Sequence, residues 1–211
     1  MASTARSSRS PCVAHPANGS RGRPTARRRS RRSGGRAVSA DPRRSRIATE
    51  RLDPLAIISA LVERQVSFVV IGGVAGLLHG GTTLTEDVDI AYERSVENLE
   101  RLAGVLADLG AYPRGVEPGL PFRPDARTLR NGLNFTFVTR HGNLDCLGEA
   151  SGGYTYAVLA PNAERYDLDG IVVAAASLDD LIRMKRAAGR RKDLIEVENL
   201  SALRDERQSR H

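Results

Sequence analysis

"IGGVAGLLHGGTTLTEDVDI" spans Ile71 to Ile90. An apolar, β-branched run, "VSFVVI" (Val66–Ile71), leads into it and predicts a short buried strand. Gly72-Gly73 ends that strand, Val74–His79 predicts a short helix, and Gly80-Gly81-Thr82-Thr83 predicts a loop. "DVDIAY" (Asp87–Tyr92) then alternates like a second strand. Successive side chains of a strand face opposite ways, so Asp87 and Asp89 share one face while Val88 and Ile90 point to the core. Two carboxylates roughly 6–7 Å apart on one face repel each other unless water or a divalent cation lies between them. A solvated strand face and a metal seat both fit this pattern. The glycine pair also has two readings. It makes a tight strand-to-helix turn, or it lets phosphate oxygens approach the backbone amides at a helix start.

Working outward, Asp53-Pro54 starts a helix, an acceptor at the N-cap followed by Pro at the first helical position. Leu55, Ile58, Leu61 and Val62 recur along it at helical spacing. Ser95 caps a second long helix, with Leu99, Leu102, Leu106 and Leu109 on one face and Gly110 at its end. Residues 112–132 are rich in Pro, Gly and Arg, show no period and read as a long loop. "NFTFVT" (Asn134–Thr139) and "NLDCL" (Asn143–Leu147) form one hairpin about Arg140-His141-Gly142, and "ERYDLDGIVVAAA" forms another, turning at Asp169-Gly170. Ser177, with Asp180 three residues on, caps a helix that breaks at Gly189. A last helix runs from about Arg190 to Leu203. The fold class is α+β, with helices at both ends of the pattern.

A third acid sits in the first hairpin. Asp145 is mid-strand, with Leu144 and Cys146 on the opposite face, and an acid there is costly unless it is wet, paired or metal-bound. A glycine turn plus three strand carboxylates suits Mg²⁺-assisted phosphoryl or nucleotidyl transfer, because Mg²⁺ prefers a few carboxylates, waters and substrate phosphates. In "SLDDLIRMKRAAGRRKDLIEVENL", Lys185 continues the inward stripe of Leu178, Leu181 and Ile182. It either snorkels or reaches a triphosphate. Asp193 shares a face with Val197 and Leu200, and serves either the helix dipole or the site. The Arg190-Arg191-Lys192 run reads as solvated surface.

Charge divides the chain unevenly. Residues 1–46 hold thirteen Arg and one acid, Asp41, about +12, so the net +7 of the whole leaves about −5 on residues 47–211. The pI near 10.1 therefore belongs to the first segment. Residues 1–48 have few apolar residues and no period, cannot offset their ordering entropy, and read as a disordered basic tail that folding does not need. A nucleic-acid arm, a transit peptide and an upstream start codon are its three readings. Residues 49–205 make the folded domain, with a helical part at 177–205, and residues 206–211 a frayed end. Cys12 and Cys146 form no disulfide framework, and no apolar run suits a membrane span or signal peptide. These features point to an intracellular, cytoplasmic protein with no membrane partner.

Taken in order, "GGVAGLLHG…TEDVDI", "PDARTLRNGLNFTFVTRHGNLDCLGE" and "LDDLIRMKRAAGRRKDL" resemble the nucleotidyltransferases of the DNA polymerase β superfamily. The closer resemblance is to the abortive-infection toxin nucleotidyltransferases, over roughly residues 53–203. It implies a polymerase β-like mixed sheet flanked by helices. It implies that Asp87 and Asp89 hold metal, two Mg²⁺ ions, and that Asp145 completes the site and helps deprotonate the attacking hydroxyl. Gly72 and Gly73 contact the triphosphate of an NTP, with hydrogen bonds from Thr85. Lys185 lies near the phosphates, and Asp193 matches the acid of the toxin branch. The implied acceptor is an RNA end or a protein side chain, with a cognate antitoxin as partner, and the 112–132 loop is the expected acceptor contact. Antibiotic nucleotidyltransferases share the glycine pair and acid spacing and modify small-molecule hydroxyls instead. Thr83 stands where relatives often carry an arginine, which leaves room for a third reading, a nucleotide- or RNA-binding module without turnover.

Overall fold

The computed structural model describes residues 51–117, 119 and 122–210. The expected tail at 1–48 lies outside them. The first element among the described residues is α1 (Pro54–Glu63), in which the Asp53 side chain accepts a hydrogen bond from the Ala56 N–H and Ile57, Ile58 and Leu61 face the core. Strand β1 (Phe68–Ile71) is buried throughout. It begins two residues later than its β-branched run, because the Val66 N–H bonds back to the Leu61 carbonyl and closes α1 instead of joining the sheet. Helix α2 (Gly72–Leu78) starts directly at the glycine pair. Strand β2 (Asp87–Tyr92) and helix α3 (Val96–Asp108), capped by Ser95, follow as expected.

Residues 112–132 hold more structure than a loop. They contain β3 (Tyr112–Pro113) and α4 (Ala126–Asn131), capped by Asp125 accepting from the Thr128 N–H. Two residues of strand, and one turn and a half of helix anchored by the single buried Leu129, are too short to show a period in sequence. Strands β4 (Asn134–Thr139) and β5 (Gly142–Leu147) form the first hairpin. A short helix α5 (Tyr156–Leu159), also absent from the sequence reading, leads to the second hairpin, β6 (Glu164–Leu168) and β7 (Ile171–Ala175). Helix α6 (Leu178–Ala188) is capped by Ser177 and ends at Gly189, left-handed at φ 65°. Helix α7 (Arg191–Ser209) runs beyond Leu203, so residues 206–209 are helical where fraying is expected. Arg207 ties down those last turns: it donates to the His79 carbonyl (3.1 Å) and meets Glu164 (3.2 Å).

The seven strands form one mixed sheet in the order β3-β4-β5-β2-β1-β7-β6. Strands β2 and β5 are parallel, as are β1 and β7, and the other neighbours are antiparallel. The core is continuous from α1 and α3 through the central strands to α6 and α7. No helix among the described residues is long and apolar enough to cross a membrane.

Candidate active site

Register brings the acids together. Asp89 on β2 stands opposite Ile71 on antiparallel β1 and opposite Asp145 on parallel β5, while Asp87 stands opposite Asn143. Val88, Ile90, Leu144 and Cys146 alternate with them and are fully buried, so the three carboxylates share the other face. One oxygen from each lies within 4.8 Å of the others. Parallel pairing of residues 56 apart in sequence thus does what no local pattern announces.

The glycine pair packs against this cluster. Gly72 has φ +65°, and a Cβ there would lie 2.0 Å from Asp89 Oδ2. Only glycine leaves room for the Asp89 carboxylate to rest on the turn, and only glycine takes that backbone conformation cheaply. A Cβ on Gly73 would lie 2.6 Å from Thr85 Oγ1. The Thr85 hydroxyl in turn lies 3.1 Å from both the main-chain oxygen and a carboxylate oxygen of Asp87. The tight-turn reading of the pair therefore holds, and the turn is built around the acids themselves.

Crowding changes the carboxylates' chemistry. Burial, followed by the charges of Asp87 and Asp145, pushes Asp89 from 3.8 up to about 7. Burial also raises Asp145, with Asp87 adding to it and the Arg114 guanidinium opposing. The Cys146 thiol, beneath the cluster, is pushed far up by burial and by the charges of Asp145 and Asp89, and stays protonated.

A cavity of about 400 Å³ opens above the acids. Its wall includes Gly72, Gly73, Thr85, Asp87, Asp89, Asp145, Lys185 and Asp193, so the residues expected to hold metal and phosphate meet at one place. Lys185 on α6 is mostly buried, pairs with Glu196 and lies 3.7 Å from Asp193. Its charge acts to lower Asp89. Asp193, buried on α7, accepts from Arg190 Nε (2.6 Å) and from a second Arg190 nitrogen (3.3 Å). Burial raises Asp193, but those hydrogen bonds and the charges of Arg190 and Lys185 outweigh it and hold the group low. Asp193 is thus an ionised anchor for two cations. Arg190 is exposed, as read from sequence, and also belongs to this wall. Thr82 and Thr83 line a neighbouring cavity of about 300 Å³ that shares Gly72, Gly73, Lys185 and Glu196 with the first.

Sequence reasoning missed Arg114 and Glu196. Arg114 follows the two-residue β3, its N–H donates to the Thr136 carbonyl (2.9 Å), and its guanidinium pairs with Asp145 and lies 3.7 Å from Asp87. Only the contact of β3 with β4, invisible in the sequence, carries it to the site.

The donor set fits a hard divalent cation. All three groups are carboxylates, they face a cavity with room for water and phosphate oxygens, and their mutual repulsion is relieved by positive charge.

The sequence matches no protein-family model and no curated protein. Solved structures do match. The lincomycin-bound lincosamide antibiotic adenylyltransferase LnuA aligns over 72% of this chain and 99% of its own, with 13% identity and a TM-score of 0.51. The fold is that of a polymerase β-like nucleotidyltransferase. The antibiotic-resistance factor ANT(2'')-Ia, in complex with adenylyl-2''-tobramycin, aligns over 73% of this chain and 94% of its own, with 19% identity and a TM-score of 0.45.

Proposed function

We propose that this nucleotidyltransferase fold is a Mg²⁺-dependent enzyme that moves a nucleoside monophosphate from an NTP onto a hydroxyl of a small molecule. The observation that carries it is the convergence of Asp87, Asp89 and Asp145 within 4.8 Å at a cavity walled by Gly72-Gly73 and Lys185. The small-molecule acceptor is supported by the likeness to LnuA, an adenylyltransferase of lincosamide antibiotics, across nearly all of that chain. The comparisons lend no support to the toxin-type acceptors, an RNA end or a protein, or to a cognate antitoxin.

Asp87, Asp89 and Asp145 would hold the metal, which when bound supplies positive charge to the attacking and leaving oxygens. The acceptor hydroxyl oxygen attacks the α-phosphorus, the bond from that phosphorus to the bridging oxygen of the β-phosphate breaks, and pyrophosphate leaves. Asp145 takes the hydroxyl proton as general base. Gly72 and Gly73 let the Asp89 carboxylate and the Thr85 side chain pack against the turn, which sets both beside the incoming triphosphate. Lys185 neutralises phosphate charge, and Asp193 holds Lys185 and Arg190 in place.

The test incubates the protein with α-labelled NTPs and Mg²⁺ against lincosamides, aminoglycosides, bulk tRNA and a cell lysate. A labelled small-molecule adduct that disappears in Asp89→Asn supports the reading. Label on RNA or protein moves the acceptor to the toxin type. NTP–Mg²⁺ binding without any labelled product returns the chain to a binding module.

A further inference from the structure

Arg114 is the one cation among the described residues whose side chain pairs directly with the carboxylate cluster. It is well placed to do so. Its main chain is pinned to Thr136 on β4, and Thr136 stands opposite Asp145 in the β4–β5 register. The guanidinium therefore emerges beside Asp145 and reaches Asp87 across it. The Asp145 side chain is 14% exposed and that of Arg114 34%, so this pair is partly shielded from the water that weakens surface ion pairs. Lys185 and Arg190, cations that line the same cavity, are engaged elsewhere: Lys185 has its ammonium on Glu196 and Asp193, and Arg190 is bonded to Asp193.

Three acids this close need positive charge whether or not a metal is bound. From these contacts we infer that Arg114 is a built-in counter-cation of the metal seat, which a divalent ion displaces from Asp145 and Asp87 on binding. This rests on the metal-dependent reading above. The oxygens that Arg114 engages belong to two of the three metal-seat carboxylates. The guanidinium and a hard cation compete for them, and the arginine's charge also opposes the incoming dication. Arg114 thus sets the metal concentration at which the site fills. Once displaced, it stays tethered by its main chain to Thr136 on β4. Arg114 is accordingly a positioning residue, acting through the carboxylates.

The experiment measures Mn²⁺ binding to the full chain by electron paramagnetic resonance, without nucleotide, in wild type, Arg114→Met and Arg114→Lys. Thermal unfolding in EDTA near pH 8 is read in parallel. Arg114→Met binds Mn²⁺ roughly tenfold to a hundredfold more tightly, the range that a charge-assisted hydrogen bond converts to, and Arg114→Lys falls between. In EDTA, Arg114→Met melts lower than wild type, and adding Asp145→Asn restores part of the loss. Mn²⁺ binding by Arg114→Met that is unchanged or weaker, with native circular dichroism, overturns displacement while leaving the metal site intact. Mn²⁺ binding by neither protein overturns both displacement and the metal-dependent reading. A melting point in EDTA that Arg114→Met does not lower overturns the counter-cation role itself.

Discussion

Replacing Asp89 by asparagine stabilises the metal-free protein and abolishes nucleotidyl transfer. In the folded chain the Asp89 carboxyl titrates at about 7, against 3.8 as its ordinary value. The sign follows from proton binding. Between those two values the folded state holds a proton that the unfolded chain has released, so stability falls as pH rises from about 4 to 7 and then levels off. The difference in proton affinity converts to a ceiling of about 4 kcal/mol at pH 8. Asparagine keeps the shape, never ionises and escapes this cost. A gain of about 2 kcal/mol, half the ceiling, already raises Tm by roughly 4–8 °C in a domain of this size. The assay is thermal unfolding of both proteins in EDTA across about pH 4.5 to 8. The gap widens by about 3 kcal/mol at most over that range and flattens above pH 7. Mg²⁺ narrows or inverts it, because only the wild type keeps all three carboxylates for the ion. An asparagine variant no more stable than wild type at pH 8 in EDTA refutes the crowded-carboxylate account.

Gly72→Ala pays about 1–2 kcal/mol for φ +65° and also drives Asp89 off the turn, so both Tm and metal affinity fall, as melting with and without Mg²⁺ reads. Gly76→Ala, whose new Cβ meets Leu200 at an ordinary 3.7 Å, leaves both nearly unchanged. Asn98→Ala removes buried hydrogen bonds to both main-chain groups of Ser67 and to the Glu93 carbonyl. It costs about 2–3 kcal/mol in denaturant unfolding yet leaves Mg²⁺ binding unchanged. Removing residues 1–48 leaves the melting point of the remainder where it was.

The parts of the fold that a reader of the sequence finds are those with a local physical signal. Ser95 and Ser177 announce their helices through caps, Gly189 ends one, and Asp169-Gly170 turns a hairpin where expected. Asp87 and Asp89 are odd enough in an apolar strand to draw attention. What brings Asp145 to them is the parallel β2–β5 pairing, which follows from chain topology and leaves no mark on either strand alone. Arg114 is harder still. It sits in a stretch without a period, and its importance lies in a two-residue edge strand and one main-chain hydrogen bond to Thr136. Asp193 reads equally well as a helix-dipole acid or a site acid, and only the positions of Arg190 and Lys185 show it to be an anchor for cations.

The measurement to make first is transfer of label from an α-labelled NTP to a hydroxyl-bearing small molecule, with lincomycin in the acceptor panel, in Mg²⁺ and in EDTA. Wild type forms a labelled adduct and releases pyrophosphate only with the divalent ion, and Asp89→Asn forms none although it melts higher. Adduct formation that continues in EDTA, or that survives Asp89→Asn, contradicts catalysis at the three-carboxylate site.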